Sequence, residues 1–446
     1  MGETVKTDAS PTGIIRRDFI AAGVGLLMPV IIRASKVNDS NDLHIGIIGT
    51  GAQGLVLIDS ALKLPGIRFV AVCDIWEQWN RRRAVRILEK FGHKVNTYLD
   101  YRDMLEKERD LDAVIIATPD FCHHTHAIAA LEAGCHVYCE KEMSNRLEHA
   151  RAMAAKSKET GKLLQIGHQR RSNPRYRFAY EQVIKRAGLL GRMTTINAQW
   201  NRAVTPDLGY PRKYPVADNI LRRYGYPNMH QFRNWRWYKA FGGGPIVDLG
   251  SHQIDIFSWF TGSHPAKVMA QGGTDYYDKK THEWFDSVQT LWEYPAETGI
   301  VRAFYQTITT NSSQGYFETF MGDQGTLLIS EATLRGAVYR EVTNAETPVW
   351  DKWVEMGILR STKKNLQTRG SDIRETVPAE EFKLNVSFDD PYHLPHLANF
   401  FNTVRGSEEL NCPGEVGYQT AVAVLKVNEA AKKQQLLSFS REEFEV

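Results

Sequence analysis

The 446-residue sequence is poor in cysteine, in net charge and in long apolar runs. Its five cysteines are an odd number, which does not fit a disulfide framework. Cys135 and Cys139 would lie about 13 Å apart in a predicted strand, too far for a disulfide bond. The formal net charge of +3 gives no support to a nucleic-acid partner. With 42% hydrophobic and 24% charged residues, the chain is long enough for a globular protein of two domains without disulfide bonds.

An apolar stretch near the start, residues 20–32, follows the pair Arg16 and Arg17. Pro29 interrupts it, and it is shorter than the roughly 20 residues that cross a bilayer. The arrangement resembles a twin-arginine signal peptide, which exports proteins already folded. We therefore expect residues 1–40 to be a signal and linker, the twin-arginine export machinery to be a partner, and the protein to be periplasmic or otherwise exported, with a membrane anchor if the signal is not cleaved. The alternative is a buried N-terminal helix with a chance arginine pair.

From Leu43 onward, short apolar strands alternate with helical patterns. LHIGIIG is typical of a buried strand, GLVLIDSALKL has helical spacing, and strand patterns follow at IRFVAVCD, DAVIIATP, CHVYCE and LLQIG. Strands separated by helices indicate βαβ units and a parallel sheet. The sequence therefore predicts an α/β protein whose first domain, residues 41–168, is a nucleotide-binding Rossmann domain.

A glycine motif lies where the first strand meets the first helix. Gly49, Gly51 and Gly54 form G-x-G-x-x-G: the first permits a tight turn, the second lets a pyrophosphate approach, and the third lets helix and strand pack closely. Asp74 ends the next strand, where a carboxylate accepts ribose hydroxyls and repels a 2′-phosphate. The motif predicts NAD as cofactor. NADP stays possible because residues 81–83 are three arginines, although a solvated helix face is the favoured explanation of that run.

Residues 117–142, ATPDFCHHTHAIAALEAGCHVYCEKE, resemble a motif of the glucose-fructose oxidoreductase, inositol dehydrogenase and MocA family (Gfo/Idh/MocA). The family pattern has a TP turn, a histidine, an A-G-x-H-V stretch and then E-K-P. The residues on that pattern here are Thr118, Pro119, His123, Gly134, His136, Glu140 and Lys141. Glu142 stands where the family has a proline associated with a cis peptide bond. The resemblance implies a set of cofactor contacts: Thr118, Pro119, His123 at the nicotinamide end, Glu140 and Lys141.

A second motif, GGGPIVDLGSHQID at residues 242–255, resembles the family segment at the substrate end of the cofactor. After the glycines, a helix places Asp248, His252 and Asp255 on one face. A carboxylate beside a histidine fixes its tautomer and raises its basicity, so we predict His252 as the general base and Asp248 as its partner. Lys141 is predicted to hydrogen-bond the substrate oxygen. The alternatives are a structural histidine and a surface lysine.

The histidine cluster at residues 123–126 raises the question of a metal site. Adjacent histidines rarely point the same way on a helix, and no cysteine or carboxylate lies at ligand spacing. We predict no metal.

The remaining residues, 169–446, predict an α+β domain. RMTTINAQW, SVQTLWEY, GIVRAFYQTITT and GTLLIS have the β-branched and aromatic content of antiparallel strands. The family resemblance implies a large, mostly antiparallel open sheet that encloses substrate and forms a homo-oligomer, a dimer or tetramer. Residues 212–241, rich in Arg, Tyr and Trp, are predicted to be a long loop that shapes a sugar pocket. A structural insertion or a subunit contact is nearly as well supported.

Three functions stay open at this point. We expect an exported Rossmann enzyme to hold its nicotinamide tightly, since free NAD is not supplied outside the cytoplasm. The favoured function is an exported NAD(P)-dependent oxidoreductase that transfers hydride between a CH–OH group of a sugar or glycoside and that cofactor. The alternative is an NAD-dependent glycosidase that works by oxidation, elimination and reduction. The third, a non-catalytic sugar-sensing protein, has no need for Lys141, Asp248 and His252 together.

Overall fold

The computed structural model describes residues 42–332, 335–341, 349–362 and 379–446. The predicted signal and linker, residues 1–40, lie outside the described residues.

The strands are β1 (Leu43–Ile48), β2 (Ile67–Cys73), β3 (Asn96–Tyr98), β4 (Ala113–Ile116), β5 (His136–Cys139), β6 (Leu164–Ile166), β7 (Met193–Asn201), β8 (Lys267–Gly273), β9 (Ser287–Ala296), β10 (Gly299–Ile308), β11 (Tyr316–Gly322), β12 (Gly325–Ile329), β13 (Gly336–Arg340), β14 (Leu359–Ser361), β15 (Glu380–Leu384) and β16 (Leu437–Ser438). The α-helices are α1 (Ala52–Ala61), α2 (Arg82–Lys90), α3 (Tyr101–Lys107), α4 (Asp120–Glu132), α5 (Leu147–Thr160), α6 (Pro174–Phe178), α7 (Asp218–Arg223), α8 (Met229–Arg233), α9 (Gly244–Thr261), α10 (Val349–Glu355), α11 (Leu394–Val404) and α12 (Gly414–Lys433). Two π-helical segments, Glu77–Arg81 and Ala179–Arg186, precede α2 and β7 respectively.

The first sheet is the predicted Rossmann sheet. Its six strands run in the order β3-β2-β1-β4-β5-β6, and every pair is parallel. The apolar runs of β1 and β4 are buried because helices cover both faces: α1 and α2 on one, α3, α4 and α5 on the other. The predicted parallel α/β architecture is confirmed.

The second sheet has ten strands in the order β14-β15-β13-β12-β11-β7-β10-β9-β8-β16. Only the β7–β10 pair is parallel among the described pairs. Side chains of β10 alternate between buried and accessible, since α9 and α12 cover one face alone. The predicted mostly antiparallel sheet is confirmed, whereas a homo-oligomer contact through its outer face stays a prediction.

The two C-terminal helices return to the Rossmann sheet. Phe400 of α11 packs in the same apolar cluster as Leu57 of α1. Val422 of α12 packs with Met153 of α5, while α12 also contacts α9 and β8. Helix α12 therefore contacts both sheets, whereas α11 packs on the Rossmann sheet. The domain boundary predicted after residue 168 stays a prediction.

Residues 212–241 are more ordered than the predicted long loop. They contain α7 and α8, and Tyr226, Met229 and Phe241 form a small apolar core with Trp76 of the first domain. The loop prediction is wrong for α7 and α8, because the aromatic side chains of this segment pack together instead of all facing a ligand.

All five cysteines are free, as predicted. Within the described ranges, no helix combines the length and the apolar character needed to cross a membrane.

Candidate active site

The three glycines of the motif have the geometry that their spacing predicts. Gly49 has φ +88°, and a Cβ there would lie 2.8 Å from the backbone of Ala117. A Cβ at Gly54 would lie 2.2 Å from the carbonyl oxygen of Gly49, so only glycine lets α1 pack this close. At Gly51 the nearest atom is Asn80 Nδ2, 3.8 Å away. The second glycine therefore leaves room for a ligand.

The start of α1 is suited to an anion. Gly51 is its N-cap, no side chain caps the helix, and the first turn carries no acidic residue. Free N–H groups and the positive end of the helix dipole attract phosphate groups. The residues present thus fit the pyrophosphate of a dinucleotide.

Asp74 lies at the end of β2, facing this turn. Its Oδ2 accepts hydrogen bonds from Thr50 N (2.7 Å) and Thr50 Oγ1 (3.0 Å), and its Oδ1 accepts one from Trp76 N (2.7 Å). Burial raises the pKa of Asp74, while these hydrogen bonds lower it. None of the three arginines at residues 81–83 lines the cavity beside Asp74. The arrangement favours NAD.

A cavity of about 640 Å³ connects the predicted cofactor residues with the predicted catalytic residues. Gly49, Gly51 and Asp74 line one part, and Lys141, Asp248 and His252 line another. Thr118, Pro119 and Glu140 also contribute to its wall. This volume is in the range of small-molecule sites, roughly 300–1,000 Å³.

Lys141 and Asp248 form an ion pair across the two domains. Lys141 Nζ donates to the backbone oxygen of Asp248 and lies 3.2 Å from its Oδ1. Arg236 Nε donates to the other carboxylate oxygen at 3.1 Å. Burial alone raises the pKa of Asp248, but Lys141 and Arg236 overcome this and hold it well below its usual range. Asp248 is therefore ionised near neutral pH.

His252 lies on the same helix face, yet it does not pair with Asp248. Both carboxylate oxygens are taken by Lys141 and Arg236, and His252 Nδ1 is buried with no hydrogen-bond partner among the described residues. Burial and the nearby Lys141 hold the pKa of His252 well below its usual range. The expectation that Asp248 raises the basicity of His252 is wrong; the ring is a neutral imidazole that packs against Trp200, with centroids 5.5 Å apart.

Asp255 also differs from its expected place beside His252. It accepts hydrogen bonds from Arg171 Nε (2.9 Å) and Nη2 (2.8 Å) and from Thr420 Oγ1 (2.9 Å). Asp255 therefore anchors α9 to α12 and to the segment after β6.

The histidines of α4 have three separate environments. His123 is fully buried, its ring nitrogens each 2.7 Å from a carbonyl oxygen, of Thr118 and of Glu142. It supports the cavity wall from behind, so the expectation that it lines the nicotinamide end is wrong. His124 stacks on His149, and His126 lines the cavity. Within the described ranges, no group of three or more metal-ligating side chains is placed to hold an ion.

Two models of one family match the chain. The oxidoreductase family with an NAD-binding Rossmann fold matches residues 43–168, and the GFO/IDH/MocA C-terminal domain matches residues 182–328. The chain belongs to the Gfo/Idh/MocA family. It is an NAD-dependent oxidoreductase, and NAD is the cofactor for which the turn at Gly49–Gly54 and Asp74 is built.

Similar proteins of this family match between 71% and 90% of the chain. D-glucoside 3-dehydrogenase of Escherichia coli (strain K12) is 26% identical over 400 residues, which are 86% of this chain and 95% of that protein. Inositol 2-dehydrogenase of Rubrobacter xylanophilus is 28% identical over 322 residues, 71% of this chain and 79% of that protein. The structure of WlbA dehydrogenase from Bordetella pertussis in complex with NADH and UDP-GlcNAcA has a TM-score of 0.61 at 20% identity, covering 90% of this chain and 99% of that one, and shows the shared fold.

The Gfo/Idh/MocA motif is altered after Lys141. Glu142 replaces the family proline, and the Lys141–Glu142 peptide bond is nevertheless cis. The backbone geometry that the family associates with proline is therefore present here with a glutamate.

Three residues that line the cavity were not predicted from the sequence. Gln53 Nε2 donates to Glu140 Oε1 (3.0 Å) and lies 3.1 Å from His393 Nε2. Asp120 is buried, and burial together with Asp248 raises its pKa to about 7. Asp120 directly follows Thr118 and Pro119 of the TP turn, so its position in the sequence could have identified it as a candidate site residue. No local pattern marks His393, which lies more than 100 residues beyond the last of the motifs.

Several side chains of residues 201–241 line the cavity. They include Trp235 and Trp237, together with Arg202 and Leu208. His230 Nε2 lies 2.7 Å from Asp207 Oδ2, which ties the start of this segment to α8. Flat aromatic side chains beside charged and amide groups suit a sugar, whose rings have apolar faces and polar edges.

Residues 212–241 also cover the adenosine side of the cavity, next to Asp74. Trp76 Nε1 donates to Tyr214 O (2.7 Å), and Arg223 Nη2 and Tyr224 OH each donate to Asp100 Oδ2 (3.0 Å). Tyr224 and other aromatic residues line the cavity at this end. Residues 212–241, named here the covering segment, therefore lie over the loops that follow β2 and β3.

Proposed function

We propose that this Gfo/Idh/MocA enzyme oxidises a secondary CH–OH group of a sugar or glycoside and returns the hydride to a keto sugar, using an NAD that it keeps bound. The observation that carries the proposal is the convergence of Lys141, Asp248 and His252 in the cavity that also contains Gly51 and Asp74. Relatives named D-glucoside 3-dehydrogenase and inositol 2-dehydrogenase support a ring alcohol as substrate.

Each catalytic side chain has a distinct task. The N-terminus of α1 and Asp74 hold NAD, which supplies a hydride acceptor when bound. Lys141 Nζ, positioned by Asp248, donates a hydrogen bond to the reacting oxygen and stabilises the negative charge that develops there. His252, a neutral imidazole, accepts the hydroxyl proton. Trp200 holds the imidazole plane in place.

The covering segment supports tight retention of the cofactor. Its hydrogen bonds to Trp76 and Asp100 close the adenosine side, so dissociation of NAD requires these contacts to open. A retained cofactor must be regenerated in place, and a second sugar or a keto product is the substrate that does so.

The other proposals concern the context of the enzyme. Residues 1–40 carry a twin-arginine signal, so the folded, cofactor-loaded protein is exported to the periplasm, with a membrane anchor if the signal is not cleaved. The outer face of the ten-stranded sheet, where Met269, Leu291 and Ile300 are exposed, forms a homo-oligomer.

The test is the near-ultraviolet spectrum of purified, undialysed enzyme with methyl glucosides, inositols and aryl glucosides, with free aglycone assayed in parallel. A reduced-nicotinamide band that rises without aglycone release supports the proposal. In His252→Ala we expect the rate to fall by about 10²–10⁴-fold with NAD still bound, because general base catalysis contributes that much.

His124→Ala is the matched control, because His124 stacks on His149 outside the cavity; its rate stays close to that of the wild type. A full rate in His252→Ala refutes the assignment of the base. Aglycone release without lasting reduction of NAD refutes the oxidoreductase and favours the glycosidase.

A further inference from the structure

Behind His252 lies a group of buried polar atoms without partners. They are His252 Nδ1, both ring nitrogens of His168, and Glu142 Oε2. His168 and Glu142 are each 1% exposed. Buried polar atoms are hydrogen-bonded in the large majority of cases, directly or through water, so four such atoms on three neighbouring side chains require an explanation.

The three side chains are neighbours in a row, with no direct hydrogen bond between them. The rings of His252 and His168 have centroids 6.3 Å apart at an interplanar angle of 88°. His168 Nε2 is 3.9 Å from Glu142 Oε2. The other oxygen, Oε1, accepts a hydrogen bond from Met143 N at 2.8 Å, which leaves Oε2 for the histidine. Gaps of this size are closed by one water molecule or by small side-chain rotations.

We propose that His168 and Glu142 form a buried proton relay behind His252, with Glu142 as the terminal proton store. The proposal rests on the proposed function, in which His252 is the base. During oxidation, the C–H electron pair leaves as hydride to NAD, and the O–H proton goes to His252 Nε2. The proton on Nδ1 then passes through His168 to the ionised carboxylate of Glu142. During reduction of a keto sugar, the same proton returns along the row to the carbonyl oxygen.

Such a store suits an enclosed redox cycle. An oxidation and a reduction on one bound cofactor release and consume one proton in turn. Above about pH 8, where Glu142 is ionised, its carboxylate keeps that proton between the two half-reactions.

The electrostatic surroundings set the direction of transfer. Burial is the main cause that raises the pKa of Glu142 to about 8; Asp120 and Asp255 act in the same direction, and the Met143 N–H and Lys141 oppose it. Burial lowers the pKa of His168 to about 4, so His168 is neutral and can pass a proton between its two nitrogens. Glu142 is a proton donor at neutral pH and an acceptor above about pH 8. The other charged or titratable groups that face His168 and His252 are Arg170, Arg171 and His393.

The kinetic test uses Glu142→Gln, which keeps the shape, and Glu142→Pro, which restores the family residue. In the wild type we expect oxidation to become faster, and reduction slower, as pH rises through about 8. Both variants lose this dependence, and their rates fall by about tenfold or more. A variant with the wild-type pH profile in both directions overturns the relay.

A second measurement does not depend on activity. In protein with ¹⁵N-labelled histidines, the ring signals of His168 and His252 are followed by NMR between pH 6 and 9. The relay predicts that both shift with one midpoint near 8 in the wild type and do not shift in Glu142→Gln. If the histidine ring signals shift with pH in Glu142→Gln as they do in the wild type, the proposal is overturned. If these signals titrate together but no sugar reduces the bound NAD, the proposed function fails and the proton connection stands.

Discussion

At the scale of single residues, Gly51 and Gly54 have different roles: Gly51 leaves room for the ligand, and Gly54 allows the helix to pack. In Gly54→Ala the new methyl meets the Gly49 carbonyl oxygen at 2.2 Å, and we expect the free energy of unfolding to fall by about 1–3 kcal/mol or more. In Gly51→Ala the methyl meets no atom closer than 3.8 Å, so stability changes by less than about 1 kcal/mol. That methyl stands where the pyrophosphate approaches, so NAD affinity falls by about tenfold. Urea unfolding and NAD titration measure the two effects, each variant controls for the other, and a reversed pattern contradicts the assignment.

At the scale of elements, we predict that the covering segment slows the release of NAD. We expect Arg223→Ala combined with Tyr224→Phe to remove both hydrogen bonds to Asp100 and to speed NAD release by about tenfold, since such bonds contribute about 1–3 kcal/mol. Stopped-flow release into excess competitor, and the NAD left after gel filtration, measure this. The control is Arg222→Ala, an exposed neighbour on α7. Equal release rates in the two variants argue against a retaining role.

At the scale of the whole molecule, the proposed export signal and the catalytic site lie in different parts of the chain. The NAD site lies entirely within the described residues, whereas Arg16 and Arg17 precede them. We expect the double substitution Arg16→Lys, Arg17→Lys to leave most of the protein in the cytoplasm, folded and NAD-bound, because the export signal is recognised separately from the fold. Cell fractionation and the absorbance of bound NAD report the two properties, with Arg33→Lys as control. Unchanged export of the double variant contradicts the twin-arginine proposal.

The sequence by itself determined the features that depend on local pattern. Alternating apolar strands and helices specify the parallel sheet, and the spacing of Gly49, Gly51, Gly54 and Asp74 specifies a dinucleotide turn, because each of these is fixed within about 30 residues of chain. The β-branched and aromatic strands after residue 190 likewise predict the second sheet.

Only the tertiary structure decided which groups meet. Asp248 was expected to pair with His252, four residues away, but Lys141 and Arg236 take both of its oxygens. Contacts between distant segments also bring His393 to the site and bury His123. They likewise place His252, His168 and Glu142 in a row. A buried carboxylate is stabilised by pairing with nearby cationic side chains. The packing of the two domains decides which cationic side chains lie close enough to pair with it.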